Sequence, residues 1–208
     1  MSTTTTARVT PPEHFTREQL DWLAWLEPPR AQDLTPEQIA GLVEPKRAEN
    51  PYFRLLALDP AVLEARTRAD LDIFHTGARD GSGLPRAERE LAATATSRTN
   101  GCVFCASVHA RFAATLGHRP EEVDALLAQG VHTALLEGSL SARWSAIVRA
   151  AEALTRTPIA FGPEHVAELR EVGLDDAALV DLISSAGFFS WANRLMLSLG
   201  EPSVPSVP

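Results

Sequence analysis

Apolar residues in this 208-residue chain recur at three- and four-residue spacing in block after block, with proline or glycine between the blocks. That period lines one face of a helix, whereas a half-buried strand requires alternation by two. Composition agrees, because Leu and Ala are abundant while Val and Ile are comparatively few, which favours helix over strand. With 45% apolar and 22% charged residues the make-up is globular, and the length suffices for one core without a second domain. We therefore expect an all-α fold, with helices over roughly 16–26, 35–47, 60–77, 86–98, 101–117, 120–128, 131–137, 141–156, 163–172 and 175–198. Thr35-Pro36-Glu37 and Asp59-Pro60 each set a capping side chain before a proline at the first helical position. Gly81 to Pro85 and Thr157 to Pro163 are breaks.

The expected domain runs over 16–200, with a flexible arm at 1–15 and a tail at 201–208 that carries Pro202, Pro205 and Pro208. Nineteen basic residues stand against 27 acidic ones, a formal charge of -8. No basic run exists to neutralise phosphates, so no nucleic-acid partner is expected. The N-terminus has no apolar stretch resembling a signal-peptide core, and the most apolar segment, 177–193, is interrupted by Asp181. No membrane association and a cytoplasmic location are expected.

The only two cysteines, Cys102 and Cys105, are three positions apart, too local to staple a fold, which points to reactivity or metal binding. They lie in Asn100-Gly101-Cys102-Val103-Phe104-Cys105-Ala106-Ser107-Val108-His109, which reads as a helix start capped by Asn100 with Cys102 in the first turn. Residues three apart in a helix have Cα atoms about 5 Å apart, within the range a disulfide tolerates. Exposed amides and the helix dipole at that end favour thiolate. His109 follows Cys105 by one turn on the same face, placed to exchange a proton with the sulfur directly or through water. If the preceding helix folds back antiparallel through a short turn at 99–100, Glu90 lies level with His109, Thr94 with Cys105 and Ser97 with Cys102. A carboxylate level with an imidazole fixes its tautomer and raises its basicity.

Other readings of these residues exist. Zinc is disfavoured, since two cysteines and a histidine on successive turns of one helix close a tetrahedron poorly and no second Cys pair exists. Two inert buried cysteines at a capped helix start are out of the ordinary. Glu90 remains open on the residues alone, because Glu88, Arg89 and Glu90 also read as a solvated helix start. His75, His118, His132 and His165 show no partner pattern, Phe188, Phe189 and Trp191 suit a core or subunit contact, and Asn193 and Arg194 suggest no chemistry.

Glu90 followed twelve residues later by Cys102-x-x-Cys105-x-x-x-His109 resembles the alkyl hydroperoxidase D and carboxymuconolactone decarboxylase-like superfamily, most of all its uncharacterised peroxidase-related branch. Leu154-Thr155, Pro158, Leu169-Arg170-x-x-Gly173-Leu174, Asn193-Arg194 and Leu199-Gly200 extend the likeness to roughly residues 50–200. The resemblance implies a compact all-α, oligomeric fold and a thiol-dependent peroxidase without metal or cofactor. On that footing Cys105 attacks a hydroperoxide, Cys102 resolves the sulfenic acid as a disulfide, His109 and Glu90 relay protons, and an external dithiol restores the thiols. Where some members carry a histidine between the cysteines this chain has Phe104. A non-enzymatic redox-responsive protein, or a decarboxylase or lactone-processing enzyme of the wider superfamily, are the alternatives.

Overall fold

A computed structural model of the chain describes residues 11–75, 83–131 and 138–205. The helices are α1 (Pro36–Gly41), α2 (Pro51–Leu56), α3 (Pro60–His75), α4 (Arg86–Asn100), α5 (Val103–Gly117), α6 (Pro120–Gln129), α7 (Ala142–Thr155), α8 (Pro163–Glu171) and α9 (Asp176–Leu199). Two short strands, β1 (Asp21–Ala24) and β2 (Gly200–Ser203), pair antiparallel. Local chemistry explains the starts. Thr35 and Gln38 form a reciprocal capping box on α1, Asn50 accepts from the Tyr52 amide on α2, and Asp175 accepts from the Ala178 amide on α9.

The hub is α4, whose residues Glu88 to Ser97 are all buried. Small side chains at Ala92, Ala93, Ala95 and Ser97 let α5, α7 and α9 approach it closely. One apolar core gathers Leu91, Ala110, Leu126, Ile147 and Leu182; burying each Leu or Ile stabilises the fold by about 1.5–3 kcal/mol. A second, more aromatic cluster joins Trp22, Tyr52, Phe74, Phe189 and Met196 to both cysteines. The thiols therefore sit where α4, α5 and α9 meet the N-terminal elements.

Several expected boundaries are corrected. The helix expected at 16–26 is replaced by β1, whose buried Trp22 and half-buried Ala24 pair with Pro202 and Gly200. Part of the expected tail at 201–208 is accordingly strand β2, and Phe15, in the expected arm, packs on the main core with Arg98 4.1 Å over its ring. The helix expected at 35–47 stops at Gly41, because Pro45 cannot continue its hydrogen bonding, and residues 45–49 make a 3-10 turn instead. Helix α2 is too short for a periodic pattern to announce it. The helix expected at 131–137 lies outside the described residues except Val131, as do the last two positions of the one expected at 60–77. No described helix is long and apolar enough to cross a membrane.

Candidate active site

The α4–α5 turn sets the geometry of the site. Gly101 adopts φ +79°, a left-handed conformation that glycine takes without strain. The Cys102 amide then donates to the Ser97 carbonyl at 2.9 Å, closing a Schellman motif. Asn100 is thus the last residue of α4 and not the cap of α5, and Cys102 itself occupies the N-cap position. The shortest available connection keeps the two helices antiparallel and in the expected register.

Glu90 consequently meets His109, with Oε2 2.6 Å from Nδ1. Its other oxygen, Oε1, accepts from Arg86 Nε at 3.1 Å. Glu90 is 1% exposed, which removes the solvated-start reading. Its neighbours are equally committed, since Glu88 is held by Arg143 and Arg89 by Asp181. A carboxylate buried this deeply persists only with partners on its oxygens. The His109 ring packs edge-on against Phe189, centroids 4.0 Å apart. With Nδ1 donating to Glu90, Nε2 is left as the basic nitrogen.

The Cys102 and Cys105 sulfurs are 2.7 Å apart as two buried free thiols. Hydrogen bonding from Cys105 holds the Cys102 thiol below the ordinary cysteine range. Burial pushes the Cys105 thiol well up. Thiolate character at the helix terminus therefore falls on Cys102, and not on Cys105 in the resting pair. The Thr94 hydroxyl donates to the Glu90 carbonyl at 2.8 Å. Ser97 accepts from Asn193 Nδ2 at 3.0 Å, and Asn100 Nδ2 donates to Asn193 Oδ1 at 3.1 Å. Asn193, fully buried on α9, also favours the thiolate form of both cysteines. The sequence reading placed Asn193 in the resemblance but gave it no chemistry; its further signal is an amide directly after the largely apolar stretch Phe188 to Ala192.

A cavity of about 320 Å³ opens on this cluster, lined among others by Cys105, His109, Glu90, Phe74, Phe112 and Phe189. Cys105 faces it, while Cys102 lies behind. Among the described residues no hydrogen bond joins His109 to Cys105, although both line the cavity, so of the two expected routes only the one through an intervening water suits this geometry. Phe104 contributes apolar wall. Of the other histidines, His75 lines the same cavity, His165 accepts from the Gly162 amide at 3.1 Å, and His132 lies outside the described residues. Among the described residues no three His, Cys, Asp or Glu side chains are grouped to hold a metal ion.

The arrangement defines a buried dithiol served by a carboxylate–imidazole pair on a helical scaffold. The carboxymuconolactone decarboxylase family model matches residues 60–156, the stretch that carries all four of these side chains. Among solved structures, an uncharacterized peroxidase-related protein with an alkylhydroperoxidase AhpD core from Ralstonia eutropha JMP134 superposes with a TM-score of 0.67 at 22% identity, covering 85% of this chain and 90% of that one. An uncharacterized peroxidase-related protein from Silicibacter sp. TM1040 gives 0.68 at 22% identity, covering 95% and 96%. The debrominase Bmp8, in complex with 2,3,4-tribromopyrrole, gives 0.60 at 15% identity, covering 85% and 89%. No curated protein matches the sequence. The sequence match over residues 60–156 and the shared fold make the chain similar to the alkyl hydroperoxidase D and carboxymuconolactone decarboxylase-like proteins.

Proposed function

We propose that the protein is a thiol-dependent hydroperoxidase. One observation carries the reading: Cys105 faces the cavity with Cys102 2.7 Å behind it and the Glu90–His109 pair alongside. Cys105 attacks the terminal oxygen of a hydroperoxide as its proton passes through the cavity to His109 Nε2. The S–O bond forms, the O–O bond breaks, and His109 returns the proton to the departing alkoxide. Cys102, the more acidic thiol, then attacks the Cys105 sulfenic sulfur; the S–S bond forms and the S–O bond breaks, with hydroxide leaving as water on taking up the Cys102 proton. An external dithiol supplies two electrons and two protons to restore the pair. This cycle suits a reducing compartment such as the cytoplasm.

Steady-state reduction of hydrogen peroxide and of an organic hydroperoxide with a dithiol donor tests the proposal, comparing wild type with Cys105→Ser. Turnover that the substitution abolishes is the expected result. A disulfide formed once per chain, without turnover, would instead favour the redox-responsive reading.

A further inference from the structure

Two residues of the cavity stand apart from the dithiol and the Glu90–His109 pair, although the charge of one, Arg66, also favours the Cys105 thiolate. Arg66 on α3 is 7% exposed and Tyr52 on α2 is 2% exposed, and both line the same cavity as Cys105. Nε and Nη1 of Arg66 and the Tyr52 hydroxyl are buried without a hydrogen-bond partner. The nearest carboxylate to Arg66, Asp70, stands 3.7 Å from Nη1 and is shared with Arg47 at 3.3 Å. Glu44 takes the other side of Arg47 at 2.9 Å. Arg66 itself is packed against aromatic faces, its guanidinium carbon 5.9 Å from the Tyr52 centroid, 5.4 Å from Phe53 and 5.3 Å from Phe188. An interior guanidinium with open donors is costly unless an anion completes it. Tyr52, its pKa pushed up to about 12 by burial, stays a neutral donor.

We propose that Arg66 and Tyr52 form a carboxylate-binding subsite in the Cys105 cavity, so that the substrate is an organic hydroperoxide bearing a carboxylate. A guanidinium fork suits a planar carboxylate better than a point donor would. Phe74, Val108, Phe112 and Phe189, which line the rest of the cavity, would hold the apolar body and direct the peroxide group to Cys105. Substrate class is thereby set at the Arg66 end and chemistry at the His109 end. The inference deepens the hydroperoxidase reading and rests on it only for the identity of the reacting group.

The test has a binding arm and a kinetic arm, both on the full reduced chain. In the first, calorimetry compares a redox-inert carboxylic acid, the alcohol product of a fatty-acid hydroperoxide, with its methyl ester. The acid should bind tighter by about tenfold or more, as a charge-assisted bond implies. Arg66→Met and Tyr52→Phe should each shrink that preference, the arginine change more. In the second, kcat/KM for the acid hydroperoxide is divided by that for its methyl ester. This ratio should fall in both variants, chiefly through KM. If Arg66→Met does not fold, Tyr52→Phe and the wild-type acid-to-ester ratio still decide. Equal affinity for acid and ester in the wild type would overturn the subsite even if peroxide turnover is vigorous, whereas acid-selective binding without turnover would leave it standing and remove the hydroperoxidase reading.

Discussion

Two sulfurs 2.7 Å apart are within hydrogen-bond reach of each other, so the pair titrates as a unit and not as two independent cysteines. With Cys102 lowered by the Cys105 hydrogen bond and Cys105 raised by burial, reduced protein should develop one thiolate below the usual value of about 8.5 and the second well above it. Absorbance at 240 nm against pH measures both steps. Cys105→Ala removes the donor and should move the first step up; Asn193→Ala should move it the same way by less. A single two-thiolate step at the ordinary value would contradict the arrangement. For the relay, His109→Ala should slow single-turnover oxidation of Cys105 by about 10²–10⁴. Glu90→Gln should cost less, because Glu90 orients the ring through its 2.6 Å bond. The double variant should be little worse than His109→Ala alone, as groups acting together are not additive. Undiminished oxidation in both single variants would end the relay.

At the scale of elements, the α4–α5 hairpin was legible because its information is local. The Glu90–His109 register follows from two periodic helices and a short turn, and it needed only the chain between residues 86 and 117. The strand pair was not legible, since β1 finds its partner in β2 at the far end of the chain and only four residues carry the pattern. Asn193 belongs to the same class: its partners Ser97 and Asn100 lie on another helix remote in sequence. Two glycine substitutions separate the physical reasons for these elements. An added Cβ at Gly101 meets nothing within 4 Å but must accept φ +79°, so Gly101→Ala should cost about 1–2 kcal/mol through backbone strain alone. At Gly200 the backbone is extended, yet a Cβ would stand 2.2 Å from the Leu23 carbonyl oxygen and 2.3 Å from Trp22. Gly200→Ala should therefore cost about 1–3 kcal/mol through overpacking. Urea unfolding of the reduced protein measures both, and an unchanged midpoint for either variant would show that its turn or strand contact is not formed.

For the whole molecule, the remaining matter is what covers one apolar face. Of the four tryptophans, Trp22 and Trp144 are buried, whereas Trp25 is 58% and Trp191 41% exposed. Leu26, Leu58 and Val62, more than half exposed, join Trp191 around a groove floored by Leu55, Leu63, Leu195 and Leu199. Asp59 and Arg66 are the charged residues of its lining, although the chain carries a formal charge of -8. Two copies repel over most of their surface but not here, and burying such a face is the usual remedy for an apolar patch of this kind. We propose that a second copy of the chain covers it. Light scattering at micromolar concentration should return a multiple of 22.5 kDa, and Leu58→Glu or Trp191→Glu should reduce it toward the single-chain mass. A wild-type mass near 22.5 kDa would refute the proposal. Arg66 lines this groove as well as the cavity of Cys105, so the two surfaces share a wall. Arg66 is nonetheless only 7% exposed in the single chain, so dissociation by Leu58→Glu should leave both carboxylate binding and the Glu90–His109 hydrogen bond in place, and loss of acid-selective binding on dissociation would show that the second copy completes the subsite.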